Sequence, residues 1–216
     1  MASMHYRTQA GDWGLAGATF AEGGVNFCCF SRHATKVELL LFEQDHSREP
    51  FQIIELDPKV NHTFFFWHVL VEDLPDGIYY GWRIDGPNDT RESGCRHDPD
   101  KLLLDPWCTT VSDRLWDRHA ASRPGCNLET AMRAKLVRDE YDWEGDQHLH
   151  VPLTEAIIYE LHVGGFTRHR SADTQNPGTF RAIIEKIPYL SELGITHVEL
   201  LPVMAFDLQD VPPNTA

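Results

Sequence analysis

Gly77-Ile78-Tyr79-Tyr80-Gly81-Trp82-Arg83-Ile84-Asp85 sets Ile78, Tyr80, Trp82 and Ile84 against Tyr79, Arg83 and Asp85. That period of two is the pattern of a strand with one face on a core, as antiparallel sheets require. Pro75-Asp76-Gly77 turns the chain into it, Pro presetting the first corner and Gly accepting a positive φ. Upstream the same pattern recurs. Gly24-Val25-Asn26-Phe27-Cys28-Cys29-Phe30 reads as a strand, and so does Lys36–Phe42, with Val37, Leu39 and Leu41 opposite Lys36 and Glu38. Residues 51–56 and 63–71 complete a run of short strands separated by turn residues. Residues 12–110 therefore read as an immunoglobulin-like β-sandwich.

Beyond Asn88 the pattern loosens. Lys101-Leu102-Leu103-Leu104-Asp105-Pro106 is a short apolar patch closed by Pro, and a polar stretch through Arg114, Arg118, Arg123 and Arg133 follows. Residues 111–153 read as an interdomain linker, because so long an irregular segment is uncommon inside a domain. The character changes again at Ala156-Ile157-Ile158-Tyr159-Glu160-Leu161-His162-Val163, which is almost continuously apolar, as a strand covered on both faces would be. Thr179 is placed to cap a helix carrying Phe180, Ile183, Ile184, Ile187, Leu190 and Leu193, with Pro188 bending it and Gly194 ending it. A second apolar strand follows over residues 195–203. Strand, helix, strand at this spacing predicts a parallel crossover, the opening of an α/β domain over residues 154–216.

Composition narrows the partners. With 19 basic and 33 acidic residues the formal net charge is −14, which argues against nucleic acid and anionic membranes. No stretch is apolar enough for a signal peptide or a membrane span, and the five cysteines (Cys28, Cys29, Cys95, Cys108, Cys126) have no CxxC spacing, so reduced thiols in the cytoplasm are expected.

Few constellations carry chemistry. Glu160 and His162 alternate on the first parallel strand, and His197 and Glu199 on the second; if the strands pair, the four form a buried polar layer, either a structural network or a wall of a substrate pocket. Asp207 and Asp210 lie in the loop after the second strand. His148 and His150 form an HxH pair without a third ligand, and Asp98, Asp100 and Asp105 lack the Gly and terminal Glu of a calcium loop, so no metal or other cofactor is expected. Trp67 and Trp82 are the candidate substrate-binding residues, with Tyr79 and Tyr80 near them, since the C–H-rich faces of a pyranose stack on aromatic rings. Core packing is the competing role for all four.

Several segments, in order, resemble the isoamylase and glycogen-debranching branch of the α-amylase superfamily, glycoside hydrolase family 13. They are Gly17-Ala18-Thr19-Phe20 with Gly24-Val25-Asn26-Phe27, Lys36-Val37-Glu38-Leu39, Tyr80-Gly81-Trp82-Arg83 with Gly86-Pro87, and the Lys101–Pro106 patch. Ile158-Tyr159-Glu160-Leu161-His162-Val163 with Gly165-Phe166-Thr167 and Val198-Glu199-Leu200-Leu201-Pro202-Val203 continue the series. The resemblance implies an N-terminal sandwich related to starch-binding modules, joined to a (β/α)8 barrel. It also implies hydrolysis of α-1,6 branch points in glycogen or a related branched α-glucan, with retention. Position 164 departs from the pattern: Gly stands where the family usually carries Lys or Arg. The family places its catalytic carboxylates beyond the third barrel strand, whereas this sequence holds two. The expectation is an incomplete barrel without catalytic residues, inactive alone. The alternative is a self-contained glucan-binding or regulatory sandwich, against which the strand-helix-strand tail argues. Trehalose-forming relatives share the same layout.

Overall fold

The computed structural model describes residues 5–204. The chain divides into two compact units, one ending at Glu140 and the other beginning at Tyr141.

The first unit is built from β1 (Thr8–Gln9), β2 (Gly17–Ala21), β3 (Gly24–Phe30), β4 (Lys36–Phe42), β5 (Gln52–Glu55), β6 (His62–Thr63), β7 (Phe66–Glu72) and β8 (Tyr79–Asp85). To these it adds β9 (Val111–Ser112), the short helix α1 (Arg118–Ser122) and β10 (Arg133–Lys135). One antiparallel sheet runs β1-β7-β3-β2 with β6 also on β7, and the other runs β5-β4-β8-β10-β9. Their inner faces share one core. Val25 and Phe27 of β3 and Trp67, Val69 and Val71 of β7 meet Val37, Leu39 and Leu41 of β4 and Tyr80 and Trp82 of β8. The alternation read from Gly77 onward thus faces the core as expected. Gly24 is required by the close approach of β7, because a Cβ there would stand 2.1 Å from the Val71 carbonyl oxygen.

The linker expected over residues 111–153 is corrected for its first half. β10 pairs with β8 through Ala134 and Tyr80, β9 pairs with β10, and Ala134 and Leu136 lie in the core. Strands of two and three residues are too short to show a periodicity, so their membership of the sheet was invisible in the pattern. The outer face of β4 is covered as well: Leu40 and Phe42 pack with Leu102 and Ala131.

Buried polar groups tie the irregular segments to the sheets. The Lys101 ammonium donates to the carbonyls of Ala120, Arg123 and Gly125 at 2.8, 2.5 and 2.5 Å, closing the C-terminal turn of α1. The Arg133 guanidinium lies 3.8 Å from the centroid of Phe42 and donates to the carbonyls of Gln44, Ser47 and Leu128. Arg suits such a buried position because its planar fork can stack and reach several acceptors together.

The second unit contains β11 (Ile158–Leu161), α2 (Val163–Thr167), α3 (Phe180–Glu185), α4 (Ile187–Glu192) and β12 (His197–Leu200). β11 and β12 pair in parallel, as the crossover reading requires. Thr179 caps α3, its hydroxyl accepting from Ala182 N at 3.3 Å. The single helix expected over residues 179–193 is two helices. The interruption is at Lys186, and Pro188 falls in the first turn of α4, where its missing N–H costs nothing. Gly194, at φ +79°, follows α4, and Ile195 N donates back to Leu190 O at 3.1 Å, a left-handed stop of the kind anticipated.

Candidate functional site

The two tryptophans expected to stack on sugar are core residues. Trp67 is 2% exposed and Trp82 1%, so neither offers a face to a ligand. Each indole N–H is satisfied internally, Trp67 donating to Ser31 O at 3.3 Å and Trp82 to Asp105 Oδ2 at 3.4 Å. Phe27 meets Tyr80 and Trp82 edge-on, with centroids 5.0 and 6.5 Å apart. Period-two alternation put 67, 80 and 82 on the inner face, and there the rings act as core volume. Tyr79 points the other way and packs beside Leu40 and Phe42.

The carboxylate of Asp105 is fully buried among these rings, accepting from the Tyr80 hydroxyl at 3.0 Å and from Trp107 N at 2.8 Å. Burial, with the charge of Asp105 added to it, pushes nearby proton-bearing groups upward. The Cys28 thiol rises to about 11, and those of Cys29 and Cys108 rise as well. Such thiols are poor nucleophiles. All five cysteines are free.

In the second unit the register brings Glu160 opposite Glu199 and His197 opposite Ile158. The expected buried polar layer does not form in this chain, since Glu160, His162, His197 and Glu199 are all exposed. His162 serves locally, its Nδ1 accepting from Gly165 N at 2.9 Å as the cap of α2, while His197 Nδ1 lies 2.8 Å from Thr196 Oγ1. Burial of a polar layer needs strands and helices packed over both faces, and the described part of this sheet has two strands. Ile158, Val198 and Leu200 of those strands are exposed for the same reason, whereas Leu161 is buried. At Gly164 a basic group is present from elsewhere. A guanidinium nitrogen of Arg168 lies 3.6 Å from where a Cβ on Gly164 would stand.

The His148 and His150 rings lie 5.9 Å apart, and among the described residues no group of three potential ligands could hold a metal ion. Asp207 and Asp210 lie outside the described residues. No helix among the described residues is long and apolar enough to cross a membrane.

Exposed rings of the first unit lie elsewhere: Trp13 before β2, Phe30 at the end of β3, Phe64 in the turn between β6 and β7, and Trp107 after Pro106. In the sequence Phe64-Phe65-Phe66 reads as more of an apolar strand, which conceals the turn at Phe64.

Residues 15–108 match the family Carbohydrate-binding module 48 (Isoamylase N-terminal domain). Over 195 residues, 88% of this chain and 24% of the relative, the sequence is 35% identical to isoamylase 1, chloroplastic, of Arabidopsis thaliana. It is 37% identical over 199 residues, 88% of this chain and 29% of the relative, to the glycogen debranching enzyme of Enterobacter sp. (strain 638). The crystal structure of the Group B Streptococcus pullulanase SAP in complex with maltotetraose superposes with a TM-score of 0.65 at 25% identity, covering 89% of this chain and 24% of that one. The chain thus spans about a quarter of the length of the curated relatives it matches.

Proposed function

This chain belongs, through residues 15–108, to the carbohydrate-binding module 48 family of isoamylase N-terminal domains, and on that premise we propose that it is the N-terminal part of an enzyme hydrolysing α-1,6 branch points in glycogen or a related branched α-glucan. In this reading the first unit holds the polysaccharide, and the second is the opening strand-helix-strand of a (β/α)8 catalytic barrel.

The observation that carries the proposal is the parallel pairing of β11 with β12 across a helical crossover, following the sandwich. Parallel strands are covered on both faces in stable α/β domains, and Ile158, Val198 and Leu200 are exposed here. A self-contained binding module has no use for such a crossover. In a barrel the acid and the nucleophile of a retaining glycosidase stand about 5 Å apart, carried by the C-terminal ends of several strands. On this proposal they come from strands beyond β12, and Glu160 and Glu199 belong to the layer that those strands enclose. The free thiols fit a reducing compartment such as the cytoplasm.

Two measurements on the 216-residue chain test the proposal. Native gels containing glycogen are expected to retard it, and reducing-sugar assays on glycogen are expected to show no hydrolysis. Release of branches by this chain alone would overturn the assignment of catalysis to further strands, and unaltered mobility in glycogen would overturn the binding role.

A further inference from the structure

Resting on that glucan-binding role, we propose that Trp13, Phe30, Phe64, Phe65 and Phe66 form the surface on which the first unit holds an α-linked glucan chain, with Arg32 at its rim.

The five rings are continuous. Centroids run from Trp13 to Phe66 at 6.1 Å, from Phe66 to Phe30 at 5.4 Å, from Phe30 to Phe65 at 6.1 Å and from Phe65 to Phe64 at 4.4 Å. They come from three separate segments: the approach to β2, the end of β3, and the β6–β7 hairpin. Trp13, Phe30 and Phe64 are each about half exposed or more. The Arg32 guanidinium lies 5.2 Å from the Phe65 centroid, close enough for a cation–π contact that leaves N–H donors for hydroxyl groups.

The hairpin supplies an independent argument. Thr63 pairs with Phe66, so Phe64 and Phe65 are the whole of a two-residue turn. Such turns take a positive φ at their first position, where Gly, Asn or Asp is normally found. Phe64 occupies it at φ +61°. A bulky side chain in that region is strained, and Phe64 is 74% exposed, so little burial offsets the strain. Strain without a folding benefit points to a use for the ring outside the fold.

The patch is aromatic throughout, and its neighbouring rings are tilted by 42 to 76°. Flat platforms suit the ribbon of a β-1,4-linked glucan. A stepped set of tilted rings suits an α-1,4-linked chain, whose successive sugar faces rotate. Neutral sugar is also the occupant least opposed by a formal charge of −14.

The test is retention in native gels carrying glycogen or hydroxyethylcellulose, with thermal melting alongside. Wild type should be retarded by glycogen and not by hydroxyethylcellulose. Phe64→Gly and Trp13→Ala should each bind glycogen about tenfold more weakly. Phe64→Gly should also melt higher, because Gly relieves the turn, so its weaker binding would not be a folding defect. Val60→Ser, an exposed change outside the patch, should bind as wild type does. If wild type is retarded and both ring variants are retarded equally, the patch is overturned while the glucan-binding role stands. If wild type is not retarded at all, both fall. Self-association that the ring variants abolish without changing glycogen retention would also overturn the proposal, making the patch a contact between copies.

Discussion

The Tyr80 hydroxyl donates a 3.0 Å hydrogen bond to a carboxylate, Asp105, that has no exposed surface and, among the described residues, no ion-pair partner within 4.0 Å. Neutral donors from Tyr80, Trp82 and the Trp107 backbone answer this buried acid. The segment after β8 is thereby fastened to the middle of the second sheet. Tyr80→Phe removes one donor and keeps the ring, so it should cost about 2 kcal/mol of stability in urea unfolding. Asp105→Ala, which strands all three donors, should cost more.

Arg133 is the largest buried cation of the first unit, and it ties β10 to the loop after β4 through the carbonyls of Gln44 and Ser47. Arg133→Met keeps much of the packing against Phe42 but leaves three carbonyls without their donor. A loss of about 2–4 kcal/mol is expected, read as a lower urea midpoint with an unchanged slope. Arg133→Lys should recover only part, since an ammonium cannot both cover the ring and span those acceptors.

Alkaline pH should weaken the first unit. An unfolded Cys28 releases its proton near pH 9, whereas burial and the charges of Asp105 and Asp12 hold the folded thiol to about 11. Between those values the unfolded chain binds fewer protons, so stability falls as pH rises, and below pH 9 this thiol contributes no pH dependence. Burial and Asp105 shift Cys29 and Tyr80 upward in the same sense. Melting temperatures should decline between pH 9 and 10.5, and Cys28→Ala should make the decline shallower.

In the second unit Thr179 accepts from Ala182 N and donates to Asn176 O at 2.7 Å. Thr179→Ala removes both bonds at the start of α3 and should cost about 1 kcal/mol, whereas Thr179→Ser should be nearly silent. Amide exchange over Phe180–Glu185 would report the change locally.

Legibility in the sequence followed element length and turn chemistry. β4 was readable to both ends because its seven residues begin on an alternation and continue as an apolar run, and β8 was readable to within two residues. β9 and β10 have no period to show, which is why a sheet edge looked like a linker. The stretch 63–71 looked like one strand because no Gly or Asn marks the turn at Phe64-Phe65. That same omission hid the aromatic surface. The rule that finds hairpins from their turn residues fails where the turn residue is strained. For Trp67 and Trp82, of the two roles open to them, alternation already favoured the core: Trp82 stands opposite Arg83 and Asp85, and Trp67 opposite His68 and Glu72. The parallel crossover, by contrast, was readable through its cap, its Pro and its terminal Gly.

The position of β10 bears on when the protein can fold. On that side of β8, Trp82 bridges to Leu103 through two backbone hydrogen bonds, but the stretch about Tyr80 stays open until Ala134 reaches it, and Leu136 N donates to Ile78 O only one step later. As the polypeptide leaves the ribosome, the sandwich cannot close when its first eight strands have emerged at Asp85; it must wait some fifty residues more. The intervening stretch, with its buried lysine and short helix, is therefore synthesised before β10 can complete the sheet. A nascent chain arrested ahead of Arg133 should hold β8 unpaired from Ile78 to Tyr80, beyond the Leu103 bridge at Trp82, and open there to pairing with other chains.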